Sequence, residues 1–350
     1  MAKHRVFEID GSLKSGSGTI LRLAVAFSAI TGEQVRIFNI RQNRPQPGLK
    51  PQHLEAVLTA AKLCNAETTG ATLNSRELQF NPRRIIGGNI EAQIGTAGNI
   101  PMLLLAILPI CAMSEDPVRI HVTKGGTDTS NAPTINYLIN IMLRALDKMG
   151  IVASISVGKY GYYPKGMGEV TLTVKPASHK KPIRLQNFGV TRTVRGVSTC
   201  TYLADKRVAE RQAYAAQEYL LARGLASDIK IVNDTSNPMQ KGSSIVLWAE
   251  TNGDAILGAD SIGEIGKPSE KVGREAAEGI FSEISAKPTV DVHLADMLIP
   301  YVALIEGTSL FFTRRISDHL ETNIWLAERM LGAHFNIMKE NGLFRVEGSN

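Results

Sequence analysis

The amino-acid sequence predicts an α/β (α+β) protein in which one structural unit occurs three times. Apolar strands alternate with amphipathic helices along the 350 residues, which favours layered packing of sheets and helices. Each copy has the same order: an apolar strand, a basic or glycine-rich polar loop, and an amphipathic helix. Repeats identify equivalent positions, so we expect the polar loops to converge if the units pack around a common axis.

The first copy has a strand at residues 35–40, a basic loop at 41–45 and a helix from about Lys50. A glycine-rich loop at 11–18 and an apolar helix at 20–31 precede it, and Gly32 ends that helix. Strands at 6–9 and 77–80 lie on either side of these elements.

The second and third copies repeat this arrangement. The second has a strand at 118–122, a glycine-rich loop at 124–128 and a helix from about Pro133; the loop at 95–99 and a helix from about Pro101 precede it, and a strand at 170–174 follows. The third has a strand at 309–313, a basic loop at 314–319 and a helix from about Leu320, between a helix at 292–305 and a strand at 343–346. His334 lies among apolar residues that we assign to a helix.

The copies are unequally spaced, which predicts an inserted domain. Val35 and Val118 are 83 residues apart, whereas Val118 and Thr308 are 190 apart, so about 107 residues are additional. We place a smaller α/β domain at 186–287, before the third copy, and a large domain at 1–185 and 288–350. The inserted segment has strand patterns at 196–202, 229–232 and 244–250, and helical patterns at 204–223 and from about Pro268.

Composition is that of an ordinary globular chain, with 43% hydrophobic and 21% charged residues. The net charge of +6 favours polyanionic partners only weakly. Cys64, Cys111 and Cys200 are far apart and match no metal-binding spacing, so we interpret them as buried, reduced thiols. No signal-peptide pattern opens the chain, and the longest apolar stretch, 101–113, is too short to span a membrane. These features predict a cytoplasmic protein without a membrane partner.

Two histidines lie where basic loops enter helices, at positions 53 and 319. Helix N-termini attract anions, and the like charge of Arg314 and Arg315 is expected to favour the neutral form of His319. A neutral imidazole can attack phosphorus. His319 is therefore a candidate nucleophile, and a capping or solvent-exposed histidine is the alternative.

Arginines and glycines suggest where a phosphate would bind. Arg41 and Arg44 precede three prolines on a stiff loop, which suits bidentate phosphate recognition, although plain surface charge is the alternative. Arg22 follows the glycine-rich loop by one helical turn. That loop and the one at 95–98 match neither a Walker A motif nor a dinucleotide fingerprint, so each is either a phosphate-binding loop or a tight turn.

Taken in order, several segments resemble the RNA 3′-terminal phosphate cyclase family. They are residues 9–11 with Gly16 and Gly18, 20–22, 40–44 with 47–49, Gln52 with His53, 94–98, 125–128 with 132–133, 163–164 with Gly166 and Gly168, and His319 with 322–323. The resemblance implies a large domain of three repeated units, each a sheet plus two helices, with a smaller α/β domain inserted before the third.

The resemblance also implies an activity. Such enzymes use ATP to form a covalent histidine–AMP, transfer the AMP to an RNA 3′-phosphate, and close a 2′,3′-cyclic phosphate as AMP leaves. ATP and an RNA with a 3′-phosphate end are thus the implied partners, with Mg²⁺ or Mn²⁺ as the implied metal. His319 matches the nucleophile. The positions that match phosphate, ATP or RNA contacts, or lie in the matching segments, are Arg22, Arg41, Arg44, Gln52, His53, Thr127, Asp128, Asp296 and Asn323.

The chain departs from the family pattern near the N-terminus and in the nucleotide pocket. Ser15 stands at the position of a glutamate that approaches the metal, and Thr19 at that of a glutamine. The metal ligands are therefore unassigned. Leu105, His293 and Met297 replace residues common in the nucleotide pocket.

Two alternative functions stay open from the sequence. One is a noncatalytic cyclase-like factor that binds RNA or protein in ribosome assembly; the presence of His319 with Arg41 and Arg44 favours the enzyme. The other is an enolpyruvyl transferase, which the threefold repeat resembles in architecture alone.

Overall fold

The computed structural model describes residues 6–177 and 179–350. The first unit contains four strands and two helices in the order β1 (Val6–Asp10), α1 (Gly18–Thr31), β2 (Gln34–Phe38), α2 (Pro51–Cys64), β3 (Glu67–Thr69) and β4 (Leu78–Asn81). The sheet order is β1-β2-β4-β3; β1 is parallel to β2, and the other pairs are antiparallel.

The second unit has the same topology. Its elements are β5 (Gly88–Gln93), α3 (Ile100–Ala112), β6 (Val118–Gly125), α4 (Ile135–Tyr137), a π-helical segment (Leu138–Met142), α5 (Leu143–Lys148), β7 (Ala153–Lys159) and β8 (Gly168–Val174). The sheet order β5-β6-β8-β7 repeats that of the first unit, again with the first pair parallel. The repeat predicted from the sequence is therefore a topological repeat.

A separate four-stranded sheet follows. Its elements are β9 (Thr191–Thr201), a 3₁₀ turn (Ala204–Lys206), α6 (Val208–Leu221), β10 (Ser227–Asp234), β11 (Gly242–Thr251), β12 (Gly258–Ile262) and α7 (Ser269–Ala286). The strand order is β10-β9-β11-β12, and α6 and α7 pack on the sheet around their own apolar cluster. This is the region in which the sequence predicts an inserted domain; the boundaries at 186 and 287 stay a prediction.

The third unit contains α8 (Val292–Leu304), β13 (Thr308–Thr313), α9 (Asp318–Leu331), β14 (His334–Glu340) and β15 (Leu343–Ser349), with sheet order β13-β15-β14. Its counterpart of β1 is a short segment before the separate sheet: Arg184 forms a parallel bridge with Leu310, and the Leu185 N–H donates to the Leu310 carbonyl at 2.8 Å. The extra sheet thus lies between the first strand and the first helix of this unit.

The first helices of the three units occupy the centre of the large core. α1 contacts α3, and α3 contacts α8, while α9 packs against both α1 and α8. Strands such as β1 and β8 alternate buried and less buried residues, so each sheet turns one face to the helices and the other outward. This packing brings the N-termini of α1 and α9 together.

Some details differ from the sequence patterns. The helix assigned to 204–223 begins at Val208 because Arg207 adopts a left-handed conformation (φ 51°) after the 3₁₀ turn. The helical assignment of His334 is wrong: it begins β14. In the part of the chain that the structure describes, every helix is too short or too polar to cross a bilayer.

Candidate active site

A cavity of about 460 Å³ lies where α1, α3, α8 and α9 converge. Thr19, Arg22 and His319 form a polar part of its lining. Apolar side chains from α1, α3 and α8 form much of the remainder, including Leu23 and Leu105. Cavities that are mostly apolar with a few convergent polar groups are typical of small-molecule sites.

The polar part is built from two helix N-termini. Ser17 caps α1 by accepting a hydrogen bond from the Thr19 N–H, and Ser317 caps α9 by accepting one from the Leu320 N–H at 3.0 Å. Thr19 Oγ1 and His319 Nδ1 are 3.3 Å apart across this junction. Because helix N-termini present unpaired N–H groups and positive dipole ends, this junction favours an anion.

His319 is an exposed side chain in the first turn of α9. Partial withdrawal of its ring from water, followed by the charges of Arg22 and Arg44, lowers the pKa of His319 below its ordinary value. The direction agrees with the sequence-based expectation, but the arginines differ. Arg314 instead forms an ion pair with Glu283 at 2.8 Å. The expectation that Arg314 and Arg315 lower the pKa of His319 is therefore wrong, because the arginines that lower it are Arg22 and Arg44.

Arg22 and His53 are packed side by side against Gly18. Both are buried, with exposed fractions of 9% and 4%. A Cβ on residue 18 would overlap His53 Nε2 and lie 2.9 Å from Arg22 Nη1, so glycine is required for this packing. Burial and the charge of Arg41 lower the pKa of Arg22 to about 10, which leaves it charged at neutral pH.

Burial, and then Arg22 and its basic neighbours, lowers the pKa of His53 to about 2. The ring is therefore neutral, and its Nδ1 accepts a hydrogen bond from the Lys50 N–H at 3.3 Å. A neutral imidazole that accepts at Nδ1 carries its proton at Nε2. His53 Nε2 thus presents an N–H donor next to Gly18.

Arg41 and Arg44 lie on the loop between β2 and α2. Arg41 Nη1 donates to the Gln46 and Gly48 carbonyls at 2.7 and 3.0 Å, which fixes the loop, and Arg44 Nη2 donates to the Ser15 carbonyl at 3.2 Å. Among residues 6–177 and 179–350, neither arginine forms an ion pair with a carboxylate, and neither does Arg22. These three guanidinium groups remain free to pair with an anion.

Asp296 and Asn323 join the cavity wall on α8 and α9. Asp296 Oδ1 accepts from Ser317 Oγ at 2.6 Å, and burial raises the pKa of Asp296 to about 7. Asn323 Nδ2 donates to the Asp296 carbonyl at 2.7 Å. Asn323 Oδ1 is buried and has no partner within the described part of the chain. A buried acceptor without a partner is costly, so this oxygen is suited to bind a ligand donor.

Six predicted residues lie outside the cavity lining: Arg41, Arg44 and His53, described above, and Gln52, Thr127 and Asp128. Gln52 Oε1 accepts from the Asn99 N–H at 2.7 Å and ties the first unit to the second. Thr127 and Asp128 are buried and bonded to each other at 2.7 Å, and the Ile135 N–H donates to Asp128 at 3.2 Å. The polar groups of Thr127 and Asp128 are thus engaged in the interior, and their contact with a ligand stays a prediction.

Asn131 and Asp260 are polar residues of the described cavity wall that the sequence did not indicate. Asp260 of β12 lines the cavity and accepts a hydrogen bond from the Thr134 N–H at 2.6 Å. It lies in a short strand of the separate sheet, far from any recognised segment, so no local signal marks it. The positions that depart from the family pattern, Leu105, His293 and Met297, also line the cavity.

The residues around Ser15 do not fit a divalent ion held by the protein. Ser15 Oγ lies 2.9 Å from Ser17 Oγ, so this loop offers hydroxyl groups where Mg²⁺ favours carboxylates. Within residues 6–177 and 179–350, no group of three or more His, Cys, Asp or Glu side chains could hold a metal ion. The metal implied by the resemblance remains a prediction, and we assign no step to it.

Comparisons with known proteins identify the family of the chain. The family model described as RNA 3′-terminal phosphate cyclase matches residues 13–337. The protein named RNA 3′-terminal phosphate cyclase from Pyrococcus furiosus is 45% identical to this chain, and the aligned region covers 97% of this chain and 98% of the relative. Those so named from Caldivirga maquilingensis and Methanopyrus kandleri are 42% and 41% identical, and each comparison covers at least 96% of both chains. The chain therefore belongs to the RNA 3′-terminal phosphate cyclase family.

Proposed function

We propose that this protein converts an RNA 3′-terminal phosphate to a 2′,3′-cyclic phosphate with ATP, through a covalent bond between His319 and AMP. The observation that carries the proposal is the position of His319 near Arg22 and Arg44, with Arg41 close to both of these arginines. None of the three has a carboxylate partner in residues 6–177 and 179–350. A buried arginine without an acidic partner is costly unless an anion binds. The triphosphate of ATP and the 3′-phosphate of RNA are such anions.

The hydrogen bonds of Thr19 support a nucleophilic tautomer of His319. Arg22 Nη2 donates to Thr19 Oγ1 at 3.2 Å, which occupies one acceptor site of the hydroxyl. If the second site accepts the His319 Nδ1–H, the ring nitrogen Nε2 keeps its lone pair. The lowered pKa of His319 keeps this form populated at neutral pH.

The proposed reaction has three displacements at phosphorus. His319 Nε2 attacks the α-phosphorus of ATP, the bond to the bridging oxygen breaks, and pyrophosphate leaves. An oxygen of the RNA 3′-phosphate then attacks the same phosphorus and releases His319. Finally the neighbouring 2′-hydroxyl attacks the RNA phosphate, loses its proton, and displaces AMP. Arg22, Arg41 and Arg44 stabilise the charge that develops in each step.

Adenylylation tests the proposal directly. The protein is incubated with α-labelled ATP and Mg²⁺, Mn²⁺ or Co²⁺, and acid-labile label is measured on the chain. We expect labelling of the wild type, loss of labelling in His319→Ala, and full labelling in His179→Ala, which replaces an exposed histidine outside the cavity. No label on the wild type with any of the three metals would refute the covalent intermediate and favour the noncatalytic RNA- or protein-binding factor.

Cyclisation is measured separately. An RNA with a radiolabelled 3′-phosphate is incubated with the protein and ATP, and the fraction of label that resists phosphatase is counted. Closure of the cyclic phosphate protects the label, so we expect protection that requires both ATP and His319.

A further inference from the structure

Three loops meet near Gln52: residues 95–99, 160–168 and 235–242. Gln52 is next in sequence to His53, whose pKa is lowered by the charges of Arg22 and Arg41 after burial. The first is tied to the arginine-bearing unit because the Asn99 N–H donates to Gln52. The second packs on the first so closely that a Cβ on Gly166 would lie 2.9 Å from Ala97 Cα. The third is joined to the second, since Asn237 Nδ2 donates to the Tyr160 carbonyl at 2.6 Å and to that of Gly166 at 3.2 Å. We call these residues the three-loop surface.

The three-loop surface is basic and carries exposed apolar groups. Tyr163 and Met239 are 76% and 54% exposed, and Lys165 and Lys241 are exposed as well. The three loops contain no Asp or Glu, although the chain has 33 such residues. Two acidic residues adjoin these loops in sequence, and both are engaged: Thr201 Oγ1 and the Ser236 N–H donate to Asp234, and Lys159 pairs with Glu169 at 2.9 Å.

Tyr163 is held by its neighbours rather than on a free loop. Gln240 Nε2 donates to the Tyr163 carbonyl at 2.9 Å, and Gln240 Oε1 accepts from the Lys165 N–H at 3.3 Å. The Gly166 N–H also donates to the Tyr162 carbonyl at 2.7 Å, so the backbone on both sides of Tyr163 is fixed while the ring itself stays exposed. A fixed, exposed aromatic ring next to lysines is the arrangement that binds single-stranded nucleic acid, by base stacking and contact with backbone phosphates.

We propose that the three-loop surface binds the single-stranded RNA that lies 5′ of the last two nucleotides, with a base stacked on Tyr163 and backbone phosphates at Lys165 and Lys241. The inference rests on the proposed function, because that function places the RNA end at Arg22, Arg41 and Arg44, two of which act on His53, next in sequence to Gln52. Stacking accepts any base, so the surface adds affinity without a sequence requirement.

Binding is tested with a fluorescent ten-nucleotide oligouridylate that ends in a 3′-phosphate, by anisotropy without ATP. We expect Tyr163→Ala to weaken binding by about tenfold, as expected for one lost base stack, and Tyr163→Phe to bind as the wild type does. Tyr214→Ala is the matched control, because Tyr214 is 69% exposed on α6 outside the three loops. Replacing Lys165 and Lys241 together by Gln should lower the slope of log K against log salt by about 1.4.

A second measurement separates this inference from the proposed function. ATP-dependent labelling of the protein needs no RNA, so we expect Tyr163→Ala to label at the wild-type rate. With RNA, kcat/KM should fall for the ten-nucleotide substrate and stay unchanged for a dinucleotide with a 3′-phosphate. Unchanged decamer affinity in Tyr163→Ala, or an equal loss for dinucleotide and decamer, would overturn the inference even if wild-type labelling succeeds.

Discussion

Gly18→Ala tests whether the packing of His53 and Arg22 is required for the chemistry at His319. The backbone at Gly18 is not left-handed, so alanine introduces a side chain without backbone strain. Its Cβ would lie 2.7 Å from His53 Cδ2 and 2.9 Å from Arg22 Nη1, whereas carbon contacts are ordinarily about 3.5–4.0 Å. One or both side chains must therefore move by roughly 1 Å.

Neither side chain has room to move freely. His53 is 4% exposed and bonded to the Lys50 N–H, and Arg22 is bonded to Thr19. Overpacking of this kind costs about 1–3 kcal/mol of folding stability. A displacement of about 1 Å in a catalytic site can lower the rate by about 100-fold. We therefore expect a folded variant that labels with ATP about 100 times more slowly.

The assay is the initial rate of labelling by α-labelled ATP, with urea unfolding measured in parallel. Gly158→Ala in β7 is the matched control, because its added Cβ would meet the flexible Glu169 Oε1 at 3.3 Å. We expect the control to label normally. A Gly18→Ala variant with wild-type labelling rate and stability would refute the reasoning that this glycine creates the site.

Three further predictions concern the same junction. Thr19→Val removes the hydroxyl that holds His319 Nδ1, so labelling should slow by about tenfold. Thr19→Ser keeps the hydroxyl and should label normally. Equal labelling rates for the two variants would contradict the tautomer assigned to His319. Arg44→Gln removes a positive charge that lowers the pKa of His319, so the pKa should rise. The acid limb of the pH profile of the labelling rate should then move to higher pH. An acid limb that stays in place or moves to lower pH would show that Arg44 does not lower the pKa of His319. Ser15→Glu adds a carboxylate to a loop of hydroxyl groups, so half-maximal labelling should need a lower Mn²⁺ concentration. Ser15→Gln is the uncharged control. An unchanged Mn²⁺ requirement in Ser15→Glu would mean that residue 15 does not determine metal affinity.

Much of the fold followed from local patterns. The helix predicted at 292–305 is observed at Val292–Leu304, and the strand predicted at 309–313 is part of β13. Strands such as β3 and β12 were missed because three to five residues with little apolar alternation carry almost no periodic signal. The residue types of the site, histidine and arginine on loops before helices, were visible in the sequence for the same local reason.

The contacts that make those residues a site were decided by tertiary structure. Thr19 and His319 are 300 residues apart in the chain and meet only because α1 packs against α9. Arg22 of α1 and Arg44 of the loop before α2 come near His319 through the tertiary fold, whereas Arg314, five residues before His319, pairs with Glu283. Periodicity and capping residues specify local conformation, so the sequence by itself determined the repeated elements and the candidate groups. The charges that surround His319 depend on which helices and loops pack together, and the packing of the three units around one core determines this.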